Sequence, residues 1–283
     1  MVIVNSGVIS LADLRAEFVG GTGTISLGDL YRNNANNYTI AIDGIPASGT
    51  TIDLGNFYGK AKVANYNNLV LFLDAKNTLS YPGSGTLWTD LSTKANNVTL
   101  YSCTYATNNG GVIKFSGTTA SYAYKSTFSS YNSGNWTSIL WIYVRGNYSS
   151  VIMQLSRSPA DANTEFVWYF NRYWDYDSAI GGYGLQITPS NAPNSVNWYQ
   201  VAFVKNGTSC TCYLNGSSCG TATGLNASYS TNDFCIGKDY RDGTTYGATC
   251  LYGDVSFIMI YNYSMTAAEI SANYNNYRGR FGI

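Results

Sequence analysis

From about Tyr66 onward, the chain alternates between short apolar or aromatic runs and clusters of Gly, Asn, Ser and Thr. The runs recur about every 8–15 residues, a pattern typical of short strands joined by turns in an antiparallel sandwich. The run Ser138–Val144 is apolar on both faces, as expected for a central strand. The predicted strands are Leu69–Asp74, Val112–Phe115, Tyr122–Tyr124, Trp136–Arg145, Val151–Ser156, Thr164–Phe170, Tyr183–Ile187, Trp198–Lys205, Thr208–Leu214, Phe234–Gly237 and Leu251–Tyr261.

Two Asn-Gly dipeptides, Asn206-Gly207 and Asn215-Gly216, predict two-residue hairpin turns, because both central residues of a type I′ turn need positive φ. They indicate a three-stranded meander from Trp198 to about Thr223. Centring the first turn on Asn206-Gly207 predicts which residues of its two strands face each other and share the inner face of the sheet. The predicted pairs are Phe203 with Cys210 and Val201 with Cys212.

The second turn places Cys212 opposite Cys219, which leaves two interpretations of these thiols. They form a cross-strand disulfide once the protein is outside a cell, or they stay reduced and pack as small apolar side chains. The six cysteines lack the paired C-x₂-C spacing of a structural zinc site. They are Cys103, Cys210, Cys212, Cys219, Cys235 and Cys250.

The first 60 or so residues repeat a short motif, seen at Ile9–Leu14, Ile25–Leu30 and, more weakly, Ile52–Phe57. In the first two copies, Ser followed three residues later by Asp predicts a capping box that starts a short helix. Each helix would present two apolar side chains, which pack on the chain's own body or, as we favour, anchor the segment to another protein subunit. The candidate anchoring residues are Leu11, Leu14, Leu27, Leu30, Leu54 and Phe57.

The C-terminal end predicts one more helix. Thr266 and Glu269 match a capping box, and the helix is expected to run to about Tyr277. Ile270 and Tyr274 would lie on the face that closes one end of the sandwich. The chain is therefore divided into an N-terminal segment, residues 1–64, and a sandwich domain, residues 65–283.

Composition excludes several classes of function. Lys plus Arg and Asp plus Glu both number 16, charged residues make up 11%, and histidine is absent. The balance argues against nucleic acid or an anionic membrane as partner, and the lack of histidine excludes Ser-His-Asp and Cys-His chemistry.

The N-terminus does not resemble a signal peptide, and no apolar run is long enough for membrane insertion. We expect a protein that is made in a cytoplasm and either stays there in soluble form or leaves it by assembly or lysis.

Three stretches carry a family resemblance. Leu69–Ala75 with Leu87–Ser92, then Trp198–Val204 with Tyr213–Gly216, and finally Gly253–Ile270 resemble the opening, central hairpin and ending of a LamG-like (concanavalin A-like) jelly roll. The resemblance implies a mainly β fold, an antiparallel sandwich preceded by a small segment of short helices and loops. It is weak evidence for function, since the fold is used by lectins, adhesion modules and glycosidases.

The N-terminal repeats resemble short segments of virion proteins from tailed bacteriophages. In those proteins they precede LamG-like domains with endings similar to Gly279–Gly282. The combination implies a phage structural protein, made in the host cytoplasm and located at the virion surface. It would contact other virion proteins through residues 1–60. The low charge and the sheet edges expected of a sandwich separately favour a homo-oligomer such as a trimer.

Carboxylates give little sign of catalysis. The three glutamates, Glu17, Glu165 and Glu269, are far apart in the sequence, whereas glycosidases need two neighbouring carboxylates. The close pair Asp175 and Asp177 is open to three interpretations: an acid/base pair, half of a calcium site, or turn formers. A calcium site would be completed by a second acidic loop, with Asp239 and Asp242. Apart from this calcium, no cofactor is predicted.

The leading hypothesis is therefore a non-enzymatic fibre, neck, tail or capsid-surface protein that binds host-surface glycans. Aromatic rings stack on sugar C–H groups while amides and acids bond the hydroxyls. A capsid decoration or cement protein is the alternative, and a polysaccharide depolymerase is a third. Two predicted loops supply the candidate carbohydrate-binding residues, which are Tyr173, Trp174, Asp175, Tyr176, Asp177, Tyr240, Arg241, Asp242 and Tyr246.

Overall fold

The computed structural model groups the chain into two compact units. One combines Met1–Asn67 with Thr266–Ile283, and the other is Asn68–Met265. The C-terminal residues, which the sequence analysis assigned to the sandwich domain, thus cluster with the N-terminal segment. The structure describes residues 8–19, 24–31, 45–46, 49–57, 68–128, 134–145, 151–156, 164–169, 172–177, 182–187, 197–224, 233–238, 240–241, 244–245 and 250–283.

The Asn68–Met265 unit contains two eight-stranded antiparallel sheets, so the mainly β fold is confirmed. In the first sheet the order is β14-β13-β12-β7-β18-β5-β4, with β1 also paired to β18. Its strands, numbered along the chain, are β1 (Leu69–Asp74), β4 (Thr104–Ala106), β5 (Val112–Ser116), β7 (Asn135–Val144), β12 (Trp198–Asn206), β13 (Ser209–Leu214), β14 (Ser217–Thr223) and β18 (Tyr252–Tyr261).

The second sheet has the order β11-β10-β9-β8-β15-β6-β3-β2. A separate two-stranded ladder joins β16 (Tyr240–Arg241) and β17 (Thr244–Thr245). The strands of the second sheet are β2 (Leu87–Trp88), β3 (Val98–Tyr101), β6 (Tyr122–Ser126), β8 (Val151–Ser156), β9 (Thr164–Tyr169), β10 (Arg172–Asp177), β11 (Gly182–Ile187) and β15 (Asp233–Ile236).

The main core draws its side chains from both sheets. From the first sheet it takes residues such as Leu140 and Phe203, and from the second Trp88 and Phe234. These side chains are at most 2% exposed. Burying apolar area at this interface is the dominant favourable term in holding two sheets together.

Every predicted strand overlaps an observed one, whereas β2, β3, β4, β10, β16 and β17 are not among the predicted strands. Strands β2 to β4 have two to four residues, too few for an alternation pattern to show. β3 alternates in burial, because Val98 and Leu100 are buried and Thr99 and Tyr101 are not. That alternation gives the second sheet a solvent-facing side at this point.

The two hairpins differ although both contain Asn-Gly. Asn215 and Gly216 both have positive φ, 49° and 78°, which confirms the type I′ prediction. In the first hairpin Asn206 pairs with Ser209, so the central residues are Gly207 and Thr208. Only Gly207 has positive φ (58°), as in a type II′ turn. Its N–H donates to the Gly134 carbonyl (2.9 Å) and to Asn135 Oδ1 (3.0 Å), contacts from a distant strand that fix the turn.

The predicted pairing of the first hairpin is therefore wrong, since Phe203 faces Cys212 and Val201 faces Leu214. The shift moves each partner by two residues and keeps the side-chain faces unchanged. Val201, Phe203, Cys210 and Cys212 are all buried in the main core, which confirms their predicted common face.

The N-terminal unit contains the repeated turns. Helix α1 (Leu11–Leu14) continues into a π-helical turn, Arg15–Val19, and two 3₁₀ turns follow at Leu27–Leu30 and Leu54–Phe57. The capping boxes of the first two repeats are present as predicted: the Ser10 and Ser26 amides both donate to the Asp carboxylate three residues later, at 2.8 Å.

Each repeat has one buried apolar residue and one less buried residue. Leu14, Leu30 and Phe57 are fully buried and pack within the chain, and the Phe57 ring lies 5.6 Å from that of Phe18. Leu11 is 39% exposed, and Leu27 and Leu54 are half-buried. Contact with another subunit would therefore depend on the first apolar residue of each repeat.

Helix α2 (Ala267–Phe281) has the predicted capping box, with the Thr266 amide donating to Glu269 Oε2 (2.7 Å). It continues four residues beyond the predicted end. Its buried residues include Ile270 and Tyr277, whereas Tyr274 is half-buried. Among the helices of the described ranges, none is long and apolar enough to cross a membrane.

Candidate functional site

The five candidate residues from Tyr173 to Asp177 lie in strand β10, so their predicted loop is wrong. β10 pairs with β9 on one side and β11 on the other. Its ladder with β11 is irregular between Trp174 and Tyr176. Aromatic residues favour extended backbone, and the strand runs through Asp175 and ends at Asp177, which pairs with Gly182 of β11.

This placement narrows the interpretation of Asp175 only. Asp175 lies within strand β10, so it is not a turn former, whereas Asp177 is the last residue of the strand and all three interpretations stay open for it. The other predicted calcium ligands, Asp239 and Asp242, and the candidate Tyr246 lie outside the described residues. Within the described ranges, no group of three or more Cys, Asp or Glu is placed to hold a metal ion. The calcium site stays a prediction.

Tyr240 and Arg241 form strand β16, which pairs with Thr244 and Thr245 of β17. The second predicted loop is therefore a small hairpin ladder at these two residues. The backbone does not bring it into either large sheet.

The structure brings together an aromatic group that the sequence analysis did not single out. Tyr101 of β3 and Tyr122 of β6 are directly opposite each other, and their rings stack with centroids 4.4 Å apart and planes 5° apart. Lys238 Nζ lies 3.4 Å from the Tyr122 ring centroid and donates to the Thr119 carbonyl at 3.0 Å. We call Lys238, Tyr122 and Tyr101 the tyrosine column.

Exposure changes sharply along the tyrosine column. Lys238 is 4% exposed and Tyr101 is 40% exposed. Burial lowers the pKa of the Lys238 ammonium. Cys103 Sγ lies 3.3 Å from the Tyr101 carbonyl oxygen and 3.5 Å from that of Tyr122. Burial raises the pKa of this thiol to about 11, so at neutral pH it is protonated and can donate to these carbonyls.

Polar and exposed residues flank the free side of Tyr101. The Leu100 amide donates to the Thr86 carbonyl (2.7 Å), which extends the β2–β3 ladder beyond Leu87. Gly85 is thereby the neighbour of Tyr101 on the side away from Tyr122. Ser84, Gly85 and Thr86 are all exposed. The sequence does carry a signal for this surface, because Thr99 and Tyr101 alternate with the apolar residues Val98 and Leu100. A run of four residues is too short for that alternation to identify a strand.

A charged group on the first sheet is structural in character. Arg145 Nη2 forms an ion pair with Asp254 Oδ2, and its guanidinium lies 5.8 Å from the Tyr143 ring centroid. The Asp254 side chain is 7% exposed. Burial raises the pKa of Asp254, against the attraction of Arg145 and Lys114. Desolvation therefore outweighs the pairing at this carboxylate.

The predicted cross-strand pairing of Cys212 with Cys219 is wrong. A β-bulge places Cys212 opposite Gly220 instead of Cys219, and all six cysteines are free thiols. The Cys212 thiol still donates a hydrogen bond to Cys219, which raises the pKa of Cys212 and lowers that of Cys219. The two residues pack as reduced thiols in the core.

Comparison with known families gives one match. The Laminin G profile described as the concanavalin A-like lectin/glucanases superfamily matches residues 115–271, more than half of the chain. Among curated proteins, no sequence matches this chain.

Solved structures show the same fold at low sequence identity. The sialidase of Trypanosoma rangeli in complex with sialic acid is 14% identical with a TM-score of 0.57, and the match covers 80% of this chain and 35% of the sialidase. The binding domain of Paraclostridial Mosquitocidal Protein 1 is 15% identical with a TM-score of 0.56, and the match covers 75% of this chain and 53% of that domain's chain. The botulinum neurotoxin type G receptor binding domain is 15% identical with a TM-score of 0.53, and the match covers 73% of this chain and 51% of that chain. The chain thus spans between a third and about half of these relatives.

Proposed function

Because the chain belongs to the concanavalin A-like lectin/glucanases superfamily, we propose that its sandwich is a binding module for glycans of a host-cell surface. In the same proposal the whole chain is a structural protein of a tailed-phage virion, displayed at the particle surface as a fibre, a neck or tail appendage, or a capsid-surface protein. Residues 1–60 attach it to other virion proteins.

The observation that carries glycan binding is the exposed aromatic and hydroxyl-bearing side of the second sheet. Tyr101 is 40% exposed, and Thr99, Tyr122 and Tyr124 on the same side are partly exposed. Aromatic faces bind sugar C–H groups and hydroxyls bond sugar hydroxyls, so this surface fits a carbohydrate. The formal net charge of zero supports the same choice over nucleic acid.

We propose binding without cleavage. Glycoside hydrolysis uses two carboxylates about 5–10 Å apart, most often from Glu. Of the three glutamates in the sequence, only Glu165 belongs to the Asn68–Met265 unit. Glu269 closes the capping box of α2, and Glu17 is buried in the other unit. An acid pair in the sandwich would need Glu165 with an aspartate, or two aspartates.

The virion location rests on the N-terminal repeats and their resemblance to phage proteins. Leu11, Leu27 and Leu54 keep exposed surface at equivalent positions of three turns and are the residues proposed for anchoring. A homo-oligomer such as a trimer, or many copies on one particle, would convert weak single contacts into firm adhesion through avidity. The names of the two toxin domains, a binding domain and a receptor binding domain, are consistent with this role.

The experiment combines purified protein with bacterial cells and with their extracted surface polysaccharides. We expect the fluorescently labelled chain to bind a subset of strains, to be displaced by the polysaccharide of those strains, and to release no reducing ends. Binding in the presence and absence of EDTA tests calcium, including a contribution of Asp175 and Asp177. Location on virions with no binding to any strain would favour a cement role, and released reducing ends would show a depolymerase.

A further inference from the structure

We infer that the outward face of the Tyr101 ring is a stacking site for the pyranose ring of a neutral sugar. The inference rests on the proposed function and assigns it to particular residues, the tyrosine column and its rim. It differs from the sequence-based candidates, because β10 and the β16–β17 hairpin contribute nothing to it.

The first step is that only one ring face in the tyrosine column is free. Parallel rings with centroids 4.4 Å apart leave no space for an ammonium group between them. Lys238 Nζ, 3.4 Å from the Tyr122 centroid, therefore lies on the face of Tyr122 opposite Tyr101. Both faces of Tyr122 are covered, and the tyrosine column ends in the second face of Tyr101, whose side chain is 40% exposed.

The second step is rigidity. The Lys238 ammonium is fixed by the Thr119 carbonyl, and the ring of Tyr101 is held against Tyr122 along one whole face. Below the rings, the Cys103 thiol lies within hydrogen-bonding distance of the two tyrosine carbonyls. A ring already held in its binding orientation loses little conformational entropy when a ligand stacks on it.

The third step is access. On the side of Tyr101 away from Tyr122, the neighbouring strand provides Gly85, which has no side chain to cover the ring. Gly85 has φ of 93°, and a Cβ built at this position meets no atom within 4 Å. Gly85 therefore leaves the space beside the free face of Tyr101 unfilled at the surface, which is the side from which a sugar ring would approach.

The fourth step decides the chemical class of the sugar. Directly opposite residues of an antiparallel pair share a face, so the rim beside Tyr101 is formed by the hydroxyl of Thr99 and by its β2 partner Leu87, which is 51% exposed. The cation of the tyrosine column is behind both rings and 4% exposed, so it is not available to a carboxylate on the ligand. An aromatic face beside one hydroxyl and one apolar side chain, with the Lys238 ammonium covered, fits a neutral hexose better than a sialic or uronic acid.

The test uses the full chain and measures binding by saturation-transfer NMR and calorimetry. Lactose, cellotetraose and chitotriose serve as neutral probes, and sialyllactose serves as the acidic probe. Three variants are compared: Tyr101→Ala removes the platform, Tyr101→Phe keeps the ring, and Tyr252→Ala removes a tyrosine of the first sheet with similar exposure (46%). Melting temperatures confirm that each variant is folded.

We expect at least one neutral probe to bind, with affinity about 3- to 10-fold weaker in Tyr101→Ala, from the usual contribution of an aromatic contact. Tyr101→Phe and Tyr252→Ala should keep the original affinity. Equal affinity of Tyr101→Ala, or binding of sialyllactose alone, would overturn this site. If no neutral probe binds, the site is also overturned, and the proposed function then stands only if the chain still binds whole cells.

Discussion

The two sheets of the sandwich differ on the sides that face away from the main core. In the first sheet, Ile139, Trp141, Phe257 and Met259 lie outside the main core and are nevertheless fully buried. In the second sheet, the corresponding side of β3 and β6 carries Thr99, Tyr101, Tyr122 and Tyr124, all partly exposed. The strands β7 and β18 of the first sheet are therefore largely apolar and buried on both sides, and the second sheet has a side available to a ligand at β3 and β6.

The difference shows which residue patterns report packing and which report binding. Strand β7 is apolar at consecutive positions because both of its faces are buried. β3 alternates, and its outward residues are not needed to fill the core. Aromatic residues in β7 thus stabilise the fold, whereas Tyr101 is open to a functional role. Pairs of matched substitutions on the two sheets test this contrast.

The largest expected effect is that of Trp141→Ala on the first sheet. Removing a fully buried indole that packs 6.2 Å from the Phe257 ring should lower the free energy of unfolding by about 3–5 kcal/mol. Calorimetric or urea unfolding of the variant measures it. A loss below about 1 kcal/mol would show that this side of the first sheet is not packed as described.

Thr137→Val tests the buried hydroxyl on the same side of the first sheet. Thr137 Oγ1 donates to the Tyr263 carbonyl and accepts from the Met265 amide, both at 2.9 Å. Valine keeps the shape and leaves two backbone groups without this partner, so we expect a loss of about 1–3 kcal/mol in urea unfolding. Thr99→Val on the second sheet is the matched control and should change stability by about 0.5 kcal/mol or less. Equal losses of stability in Thr137→Val and Thr99→Val would contradict the described difference in burial between the outer sides of the two sheets.

A smaller effect concerns pH. Burial raises the pKa of Asp254 above 3.8, so the folded state favours the protonated acid. Its contribution to stability is full below the unfolded pKa and is lost as pH rises through the folded value. Stability of the parent relative to Asp254→Asn should therefore fall as the pH rises above about 4, the unfolded pKa of an aspartate, as measured by urea unfolding at several pH values.

Asp13 is the matched control for the sign of this effect. Hydrogen bonds from the Ser10 side chain and amide lower its pKa. Its contribution is present above the unfolded pKa and is lost as pH falls, so stability of the parent relative to Asp13→Asn should rise with pH. If the stability difference between parent and variant changed with pH in the same direction for Asp254→Asn and Asp13→Asn, the opposite pKa shifts described for the two carboxyls would be wrong.

The smallest expected effect is that of Tyr101→Ala on stability. A tyrosine that is 40% exposed and stacked on one side should contribute about 1 kcal/mol or less to the free energy of unfolding. Measured beside Trp141→Ala, it separates a ring that supports the fold from a ring available to a ligand. A loss similar to that of Trp141→Ala would make Tyr101 a packing residue.

Local signals explain how much could be predicted. The capping boxes of Ser10, Ser26 and Thr266 and the turn at Asn215-Gly216 depend on residues three or fewer positions apart, and all were predicted correctly. The first Asn-Gly turn was misplaced because Asn135 and Gly134, some seventy residues earlier, bind its Gly207 amide. The bulge beside Cys212 likewise arises in pairing between strands and leaves no local sequence signature.

The sequence by itself determined the strand runs, the helix starts and the mainly β class, because apolar periodicity and side-chain caps act within a few residues. Only the tertiary structure made β10 a strand between two partners, grouped the C-terminal helix with the N-terminal segment, and stacked Lys238, Tyr122 and Tyr101. Those outcomes depend on which distant segments pair and in which register. That choice follows from burial and hydrogen bonding summed over whole sheets and is not encoded in any short stretch of the chain.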